Sequence, residues 1–261
     1  PPSHRMTTVV RRFFFAADSP VNLAVLRITL GVSSFGSAAH VAIHGRRLPA
    51  VDPTPPAILG DLLVALPRGP GFLRVVAACF AISCVFGALG WKTRWAMAGL
   101  VVFGPIHLGI PQIFGKVDHN HYILWIGLVL AMSPCGHALA LDSRRRRHAR
   151  SAIYGFPLRV TWLLLGLIYF FPGFWKLGRA GLDWVSADNM ARLMWSTWFA
   201  EGGYVPIVDI SGDPALLVVA GVMALVIELG FVFLVVGRRT RVLAAVGGVC
   251  FHIGVGLTMG I

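Results

Sequence analysis

Residues 168–184 read IYFFPGFWKLGRAGLDW, and this stretch decides what kind of fold the chain adopts. It closes a run that begins at Phe156 and is apolar apart from one arginine, one threonine and glycine. The run matches the roughly 20 apolar residues that an α-helix needs to cross a bilayer. The sequence therefore predicts a spanning helix over residues 156–176, with Lys176 at the point where the helix leaves the hydrocarbon.

Lys176 itself has two interpretations. The chain holds 23 Lys and Arg residues, of which only three are lysines, so a lysine at this apolar boundary runs against the composition. Desolvation favours the neutral, basic form of a lysine, whereas an arginine stays charged. Lys176 is therefore either a functional base or an interfacial anchor, whose stem lies in lipid while its ammonium reaches the headgroups.

Composition places the whole chain among membrane proteins. Of 261 residues, 56% are hydrophobic and 13% are charged, and the mean hydropathy is +0.74, values that no ordinary soluble domain has. The predicted fold class is all-α, a polytopic transmembrane helix bundle of about seven spanning helices with further interfacial helices on the outer side. The predicted spans are residues 21–43, 72–90, 95–114, 120–139, 156–176, 214–236 and 242–261.

Charged residues in the loops predict the orientation. With the N-terminus in the cytoplasm, 14 Lys and Arg residues fall in inside segments and six in outside segments, while eight of the 11 acidic residues fall outside. This asymmetry follows the positive-inside rule. The net charge of +12 thus arises largely from loops on one side, and the basic run at 144–147 suits lipid headgroups and not nucleic acid.

The domain boundaries follow from the same topology. Residues 1–20 are predicted to form a cytoplasmic N-terminal segment, and residues 21–261 a single transmembrane domain. The bias toward Arg, Ala, Gly and Val indicates the plasma (inner) membrane of a bacterium. On the outer side, residues 182–204 carry aromatic and Met side chains at helical spacing, which predicts an interfacial helix. That helix is either an aromatic belt or a substrate lid.

Four ionisable residues that lie within the predicted spans are Arg27, His107, Glu228 and His252. Such residues are candidates for function, because an unpaired charge inside a membrane costs about 3 kcal/mol or more. Glu228 is therefore expected to face the bundle interior, paired with a basic or hydrogen-bonding group. The alternative for Glu228 and Arg27 is that each only neutralises another intramembrane group.

Histidines collect at the predicted outer edge of the bundle. His40 and His44 share a face at the end of the first span, and His119 and His121 open the fourth. Imidazoles can ligate zinc, copper or haem iron. Since no cysteine or carboxylate completes a recognisable ligand spacing, a His-based metal or haem site is the lesser alternative, and no metal ligand is assigned.

Several short blocks, in order along the chain, carry a resemblance to a known family. The longest is FPGFWKLGRAGLDW at residues 171–184. The others are Asn120-His121-Tyr122 at the head of the fourth span, Leu141-Asp142 at its close, Glu228, the Arg239-Thr240-Arg241 turn, and Phe251-His252. Together they resemble the vitamin K-dependent γ-carboxylase family and its bacterial membrane relatives of the HTTM type.

The resemblance implies a quinol-linked chemistry. Lys176 would be the base that deprotonates a reduced quinone, either reduced vitamin K or menaquinone. Reaction with oxygen would then give an epoxide and a strong base, which removes a γ-proton from a glutamate, and carbon dioxide adds. The resemblance assigns His121 to the carboxylation step. It assigns quinone-binding roles to Asn120, Trp175, Asp183, Trp184 and His252.

The function expected from this resemblance is that of an integral membrane, γ-glutamyl carboxylase-like lyase at the extracytoplasmic face. Its partners would be membrane lipids, a quinone and an exported peptide or protein, with no nucleic acid. The alternative is a non-catalytic maturation or interaction subunit for a membrane complex or a secreted peptide, similar to a toxin-maturation protein. A desolvated Lys176 beside His121 favours the enzyme, whereas a lipid-facing or solvent-exposed lysine favours the alternative.

Overall fold

A computed structural model describes residues 11–54, 60–114, 119–143, 148–200 and 202–260. Within these ranges the regular secondary structure is helical, apart from one isolated antiparallel bridge between Asp18 and Ser151. The predicted all-α fold is therefore confirmed. The chain divides into two compact units, Pro1–Thr161 and Trp162–Ile261. Some of the charged residues counted above lie outside the described residues, namely the basic run at 144–147 and Arg5, Lys116, Asp118 and Glu201.

From residue 20 onward the described residues form nine α-helices and three short 3-10 segments, and residues 11–14 are helical as well. The helices are α1 (Pro20–His44), α2 (Gly60–Val64), α3 (Pro70–Leu89), α4 (Thr93–Gln112), α5 (Tyr122–Ala131), α6 (Ala152–Ala180), α7 (Ala187–Ala200), α8 (Pro214–Leu234) and α9 (Thr240–Met259). The 3-10 segments are His119–His121, Leu141–Ser143 and Gly181–Val185.

Local sequence explains where the long helices begin. Proline occupies the first turn of α1, α3 and α8, where its missing N–H is not needed. The Ser19 hydroxyl caps α1 by accepting from the N–H of Val21, at 3.2 Å. The Asp213 carboxylate caps α8 by accepting from the N–H groups of Ala215 and Leu216, at 2.9 and 3.1 Å.

Among the described residues, five helices are long and apolar enough to cross a membrane, and the chain is a membrane protein on that basis. They are α1, α3, α6 extended by its 3-10 segment (Ala152–Val185), α8 and α9. Each overlaps one of the seven predicted spans, although Ala152–Val185 is longer than the predicted span at residues 156–176. The two remaining predictions, residues 95–114 and 120–139, correspond to α4 and α5, which fall short of the length or composition of a spanning helix.

The shortfall in α4 and α5 has two different causes. The 20-residue α4 contains Pro105, Pro111 and His107, which lower its hydropathy. The 10-residue α5 ends at Ala131 and extends for about 15 Å, half the thickness of the hydrocarbon. After it the chain runs through turns, because Pro134 disfavours helical geometry in the residue before it.

A buried arginine fixes this turn region in the first unit. Arg27 of α1 is fully buried, and its guanidinium donates to the carbonyls of Cys135 at 2.7 Å and Leu139 at 2.6 Å. A third, longer bond reaches the carbonyl of Ala138 at 3.4 Å. These carbonyls are available because α5 has already ended. Arg27 thus satisfies backbone carbonyls that would otherwise be buried without a donor.

Close packing of small residues characterises both units. In the first, α1 packs against α3, α3 against α4, and α4 against α5. A Cβ at Gly31 of α1 would come within 2.7 Å of the carbonyl oxygen of Cys84 on α3. In the second, a Cβ at Gly166 of α6 would come within 2.8 Å of the Cα of Val232 on α8. Glycine at these positions allows the backbones to approach, as is common in membrane bundles.

The predicted outer helix is α7, and its apolar face packs within the second unit. Met190 and Met194 form a buried cluster with Leu217 of α8, whereas Phe199 is 87% exposed. The segment around and after α7 is hydrogen-bonded to the last carbonyls of α9. Trp198 Nε1 donates to the carbonyl of Thr258 at 2.7 Å, and the Tyr204 hydroxyl donates to the carbonyl of Gly256 at 3.2 Å. The N–H groups of Ile207 and Val208 both donate to the carbonyl of Leu257, at 3.0 and 3.1 Å.

Candidate functional site

The candidate site centres on an ion pair between α6 and α8. Lys176 Nζ lies 2.6 Å from Glu228 Oε1, and the lysine side chain is 28% exposed whereas the glutamate side chain is 9% exposed. Since a lone charge in an apolar bundle is costly, each group satisfies the other. The expectation that Glu228 faces the interior with a basic partner is confirmed, and its partner is Lys176.

An indole ring covers the lysine. The ammonium of Lys176 lies 4.4 Å from the ring centroid of Trp184, a cation–π distance. Trp184 belongs to the 3-10 segment that follows α6, and its carbonyl accepts from Asn189 Nδ2 at 2.7 Å. Its ring also packs beside the apolar cluster of Met190 and Leu217. The lysine is therefore held between a carboxylate and an aromatic face.

Glu228 keeps one oxygen without a partner. Its Oε2 is buried and makes no hydrogen bond among the described residues. Gly173, one turn before Lys176, passes close to this side chain. A Cβ at Gly173 would lie 2.8 Å from the Cβ of Glu228 and 3.2 Å from Oε2. The glycine thus lets the glutamate reach the lysine while its second oxygen stays free to accept.

A second polar contact lies two helical turns before the lysine. The hydroxyl of Tyr169 is 2.6 Å from Nε2 of His252 on α9. The tyrosine ring stacks on Phe231 of α8, with centroids 4.5 Å apart and planes 15° apart. Tyr169 and Lys176 are seven residues apart on α6, so they share a face and are separated by about 10.5 Å along the axis. His252, predicted to bind quinone, is thus part of a hydrogen-bonded aromatic group.

Two other predicted site residues lie away from the ion pair. Trp175 is 61% exposed. The Cζ atom of the Arg179 guanidinium lies 4.4 Å from the centroid of the Trp175 ring. Asp183 lies in the 3-10 segment with an exposed side chain. The structure therefore brings Lys176 and Trp184 together, but not Trp175 or Asp183.

Asn120 and His121 belong to the first unit. Both lie in the 3-10 segment His119–His121 that leads into α5, with Asn120 exposed and His121 half-buried. The approach of His121 to Lys176 stays a prediction, as does its role in carboxylation. His107, also in this unit, is buried in α4 and stacks on Phe80 with centroids 5.2 Å apart.

Two of the histidines that were predicted to lie at the outer edge form a pair. The rings of His40 and His44 lie with centroids 4.8 Å apart at the end of α1. Within the described ranges, no set of three or more His, Cys, Asp and Glu side chains is placed to hold a metal ion. The side chain of His119 lies outside what the structure describes.

Sequence reasoning missed one pairing and one residue of the site. Glu228 was predicted to have a basic or hydrogen-bonding partner, but that partner was not predicted to be Lys176, which lies 52 residues earlier. Tyr169 was not singled out at all. The available signal was its spacing, because Tyr169, Gly173 and Lys176 follow an i, i+4, i+7 pattern and must lie on one helix face.

Comparison with known protein families gives a match over most of the chain. The family model described as the HTTM domain, which is associated with vitamin K-dependent carboxylases, matches residues 15–256. It covers all five candidate spanning helices for most of their length, together with the ion pair. No curated protein and no solved structure matches the chain.

Proposed function

The chain belongs to the HTTM domain family, and we propose that it is a carboxylase-like membrane enzyme. In this proposal it uses a reduced quinone at the outer face of a bacterial plasma membrane to modify a glutamate of an exported peptide or protein. The observation that carries the proposal is the ion pair of Lys176 and Glu228, enclosed between α6 and α8 under Trp184.

The residues around the pair suit an aromatic quinol. Trp184 offers a ring face, and Lys176 offers a cation beside it. These two groups and Glu228 would hold reduced vitamin K or menaquinone. When bound, the quinol would supply, with oxygen, the strong base needed to remove a γ-proton from glutamate before carbon dioxide adds. His121 is proposed to serve that carboxylation step.

The ion pair provides a way to make the lysine basic. An ammonium cannot accept a proton, but the Glu228 carboxylate lies within hydrogen-bond reach of Lys176 Nζ. Transfer of one proton from Nζ to Oε1 neutralises both groups, and a low-dielectric environment favours neutral forms. Lys176 would then be an amine able to act as a general base.

Oxygen consumption driven by reduced menaquinone tests this proposal. The purified chain in lipid discs should consume oxygen when the quinol is supplied, and Lys176→Ala should reduce the rate at least 100-fold, in line with loss of a general base. Small amines should partly restore this variant by supplying an external base. A wild-type chain without quinol-dependent oxygen consumption would contradict the enzyme proposal.

A matched control separates the base from charge in general. Lys92 is also a lysine beside a tryptophan, with its ammonium 5.7 Å from the Trp91 ring centroid, but it lies in the turn between α3 and α4. Lys92→Ala should leave the oxygen consumption within about twofold of the wild-type rate. An equal loss in both variants would indicate a general effect on the protein instead.

A second candidate function has its own support. Residues 182–207, which are predicted to lie on the outer side, include large apolar side chains that are exposed. These are Leu182, Phe199, Val205 and Ile207. A non-catalytic maturation subunit would use such a surface to bind a secreted peptide or another membrane protein, and the Lys176–Glu228 pair would then only join α6 to α8. This candidate predicts that Lys176→Ala changes stability while no quinol-dependent oxygen consumption exists in the wild type.

A further inference from the structure

We infer that Glu228 Oε2 forms a binding subsite for a hydroxyl group carried on an aromatic ring. The inference rests on the proposed function and extends it, since it names the atom that receives the hydroxyl. Lys176 and Trp184 would lie beside the same ligand. Glu228 would thus be a residue that contacts the substrate as well as the partner of the lysine.

The first reason is the cost of leaving this oxygen without a donor. Glu228 is more than nine-tenths buried, and Oε1 already accepts from Lys176 Nζ at 2.6 Å. Oε2 makes no hydrogen bond to any described residue. An ionised carboxylate only accepts, and burying an acceptor without a donor is unfavourable. An external donor would remove that cost.

The second reason comes from comparison with the other buried polar side-chain atoms that lack partners in the part of the chain that the structure describes. Those atoms are Arg27 Nε, Ser34 Oγ, His107 Nε2 and Thr161 Oγ1. The guanidinium of Arg27 donates through its other nitrogens, and the rest belong to groups that can be uncharged. Glu228 Oε2 is the one carboxylate oxygen in this set, and a charged acceptor gains most from a donor.

The third reason is the chemistry of the surroundings. Gly173 places no side chain beside Oε2, although a Cβ there would lie 3.2 Å away. The Trp184 ring covers the adjoining lysine, and Phe231 follows Glu228 by three residues on α8 with its ring stacked on Tyr169. Aromatic faces near a charged acceptor suit a phenol or quinol, whose ring packs while its hydroxyl donates.

The test compares two probes that differ only in their ability to donate. 1-Naphthol carries one hydroxyl, whereas 1-methoxynaphthalene has the same ring and no donor. Binding is measured by calorimetry to the full chain in discs of phosphatidylcholine, whose headgroup has no N–H or O–H donor, with empty discs subtracted. Wild type should bind the naphthol at least tenfold more tightly than the ether, as expected for a hydrogen bond to a charged acceptor.

Two variants test whether the preference for the naphthol depends on the Glu228 carboxylate. Glu228→Gln keeps the shape but removes the charge, and should reduce the preference to about threefold or less. Asp52→Asn makes the same change at an exposed carboxylate in the first unit, and should preserve the preference. Equal binding of both probes by the wild type would overturn the inference without any variant being needed, as would an unchanged preference in a folded Glu228→Gln variant.

A lipid headgroup is the other possible donor to Glu228 Oε2, and discs of a second lipid test for it. In discs of phosphatidylethanolamine, an ammonium headgroup competes for Oε2. If the naphthol preference persists there, the aromatic assignment stands, and if it vanishes, the subsite is a lipid site and the assignment fails. Because neither probe is a redox substrate, wild type that binds naphthol preferentially yet consumes no oxygen would overturn the proposed function alone.

Discussion

At the scale of residues, the second unit depends on one lysine and one glutamate whose charges are mutually satisfied. Lys176 Nζ and Glu228 Oε1 are 2.6 Å apart, and the carboxylate is the more buried of the two. Removing one member of a buried pair leaves the other charge without compensation, whereas replacing both with apolar groups is close to neutral. The lysine alone, by contrast, would have been consistent with a simple interfacial anchor.

The first prediction concerns the stability of this pair. Glu228→Leu should lower the free energy of unfolding by about 3 kcal/mol, because it leaves the Lys176 ammonium beside an apolar helix. Thermal unfolding in detergent measures the change. The double variant Lys176→Met/Glu228→Leu should recover most of the loss, and additive losses from the two substitutions would show that the groups do not interact.

At the scale of elements, the sequence predicted the long helices but not where every helix ends. Long apolar runs in the sequence predicted α1, α3, α6, α8 and α9. The early end of α5 follows from Pro134, and it is stabilised by hydrogen bonds from Arg27, 108 residues away from Cys135. Helix contacts such as that of Tyr169 with His252 depend on the rotation and register of packed helices. A hydropathy pattern does not contain that information.

Arg27 provides a prediction about the turn region after α5. Arg27→Met should leave the carbonyls of Cys135 and Leu139 buried without donors and loosen this region. In a background with Cys135 as the single cysteine, maleimide labelling should be at least tenfold faster in the variant, since the thiol is buried in the parent. Arg74→Met, which removes only an exposed bond to the His44 carbonyl, is the control. Equal labelling rates would contradict this role for Arg27.

The start of α4 provides a prediction about pH. Asp142 accepts from the N–H groups of Lys92 and Thr93 at 2.9 and 2.8 Å, and from the Thr93 hydroxyl at 2.8 Å. Burial raises the pKa of Asp142, but the hydrogen bonds from Thr93 and Lys92 and the charge of Arg27 outweigh it and hold the pKa below its usual 3.8. Stabilisation by this carboxylate is therefore present above pH 3.8 and is lost as the pH falls through the lower, folded-state pKa.

Asp142→Ala tests this cap. The substitution should cost about 1 kcal/mol at neutral pH, as loss of a helix cap does. It should also reduce the fall in Tm on acidification below the usual carboxyl pKa of 3.8. The exposed Asp52→Ala is the matched control and should change neither quantity. A variant with the full acid dependence of the parent would argue against Asp142 as its source.

At the scale of the whole molecule, the orientation depends on charge asymmetry and on the parity of the spans. Whether α4 and α5 both cross the membrane or neither does, α6 crosses it in the same direction. The reason is that two additional crossings return the chain to the side from which it started. The prediction of a cytoplasmic N-terminus thus places the end of α6, and Lys176 with it, on the outer side. The proposed exported substrate requires that side.

Cysteine labelling tests this orientation. Single cysteines at Ser143 and Ser186, in a background without native cysteines, lie on either side of α6. An impermeant maleimide applied to intact cells should label Ser186→Cys and should label Ser143→Cys only after permeabilisation. Labelling of both positions from one side would contradict the topology.

The most direct test of the central claim is quinol-dependent oxygen consumption by the Lys176→Arg variant in lipid discs. Arginine keeps the charge, most of the stem and the ion pair with Glu228, but it does not become neutral. The account predicts normal insertion and a Tm close to that of the wild type, together with loss of oxygen consumption driven by reduced menaquinone. Oxygen consumption at the wild-type rate would show that Lys176 is an anchor and not a base, and would contradict the account.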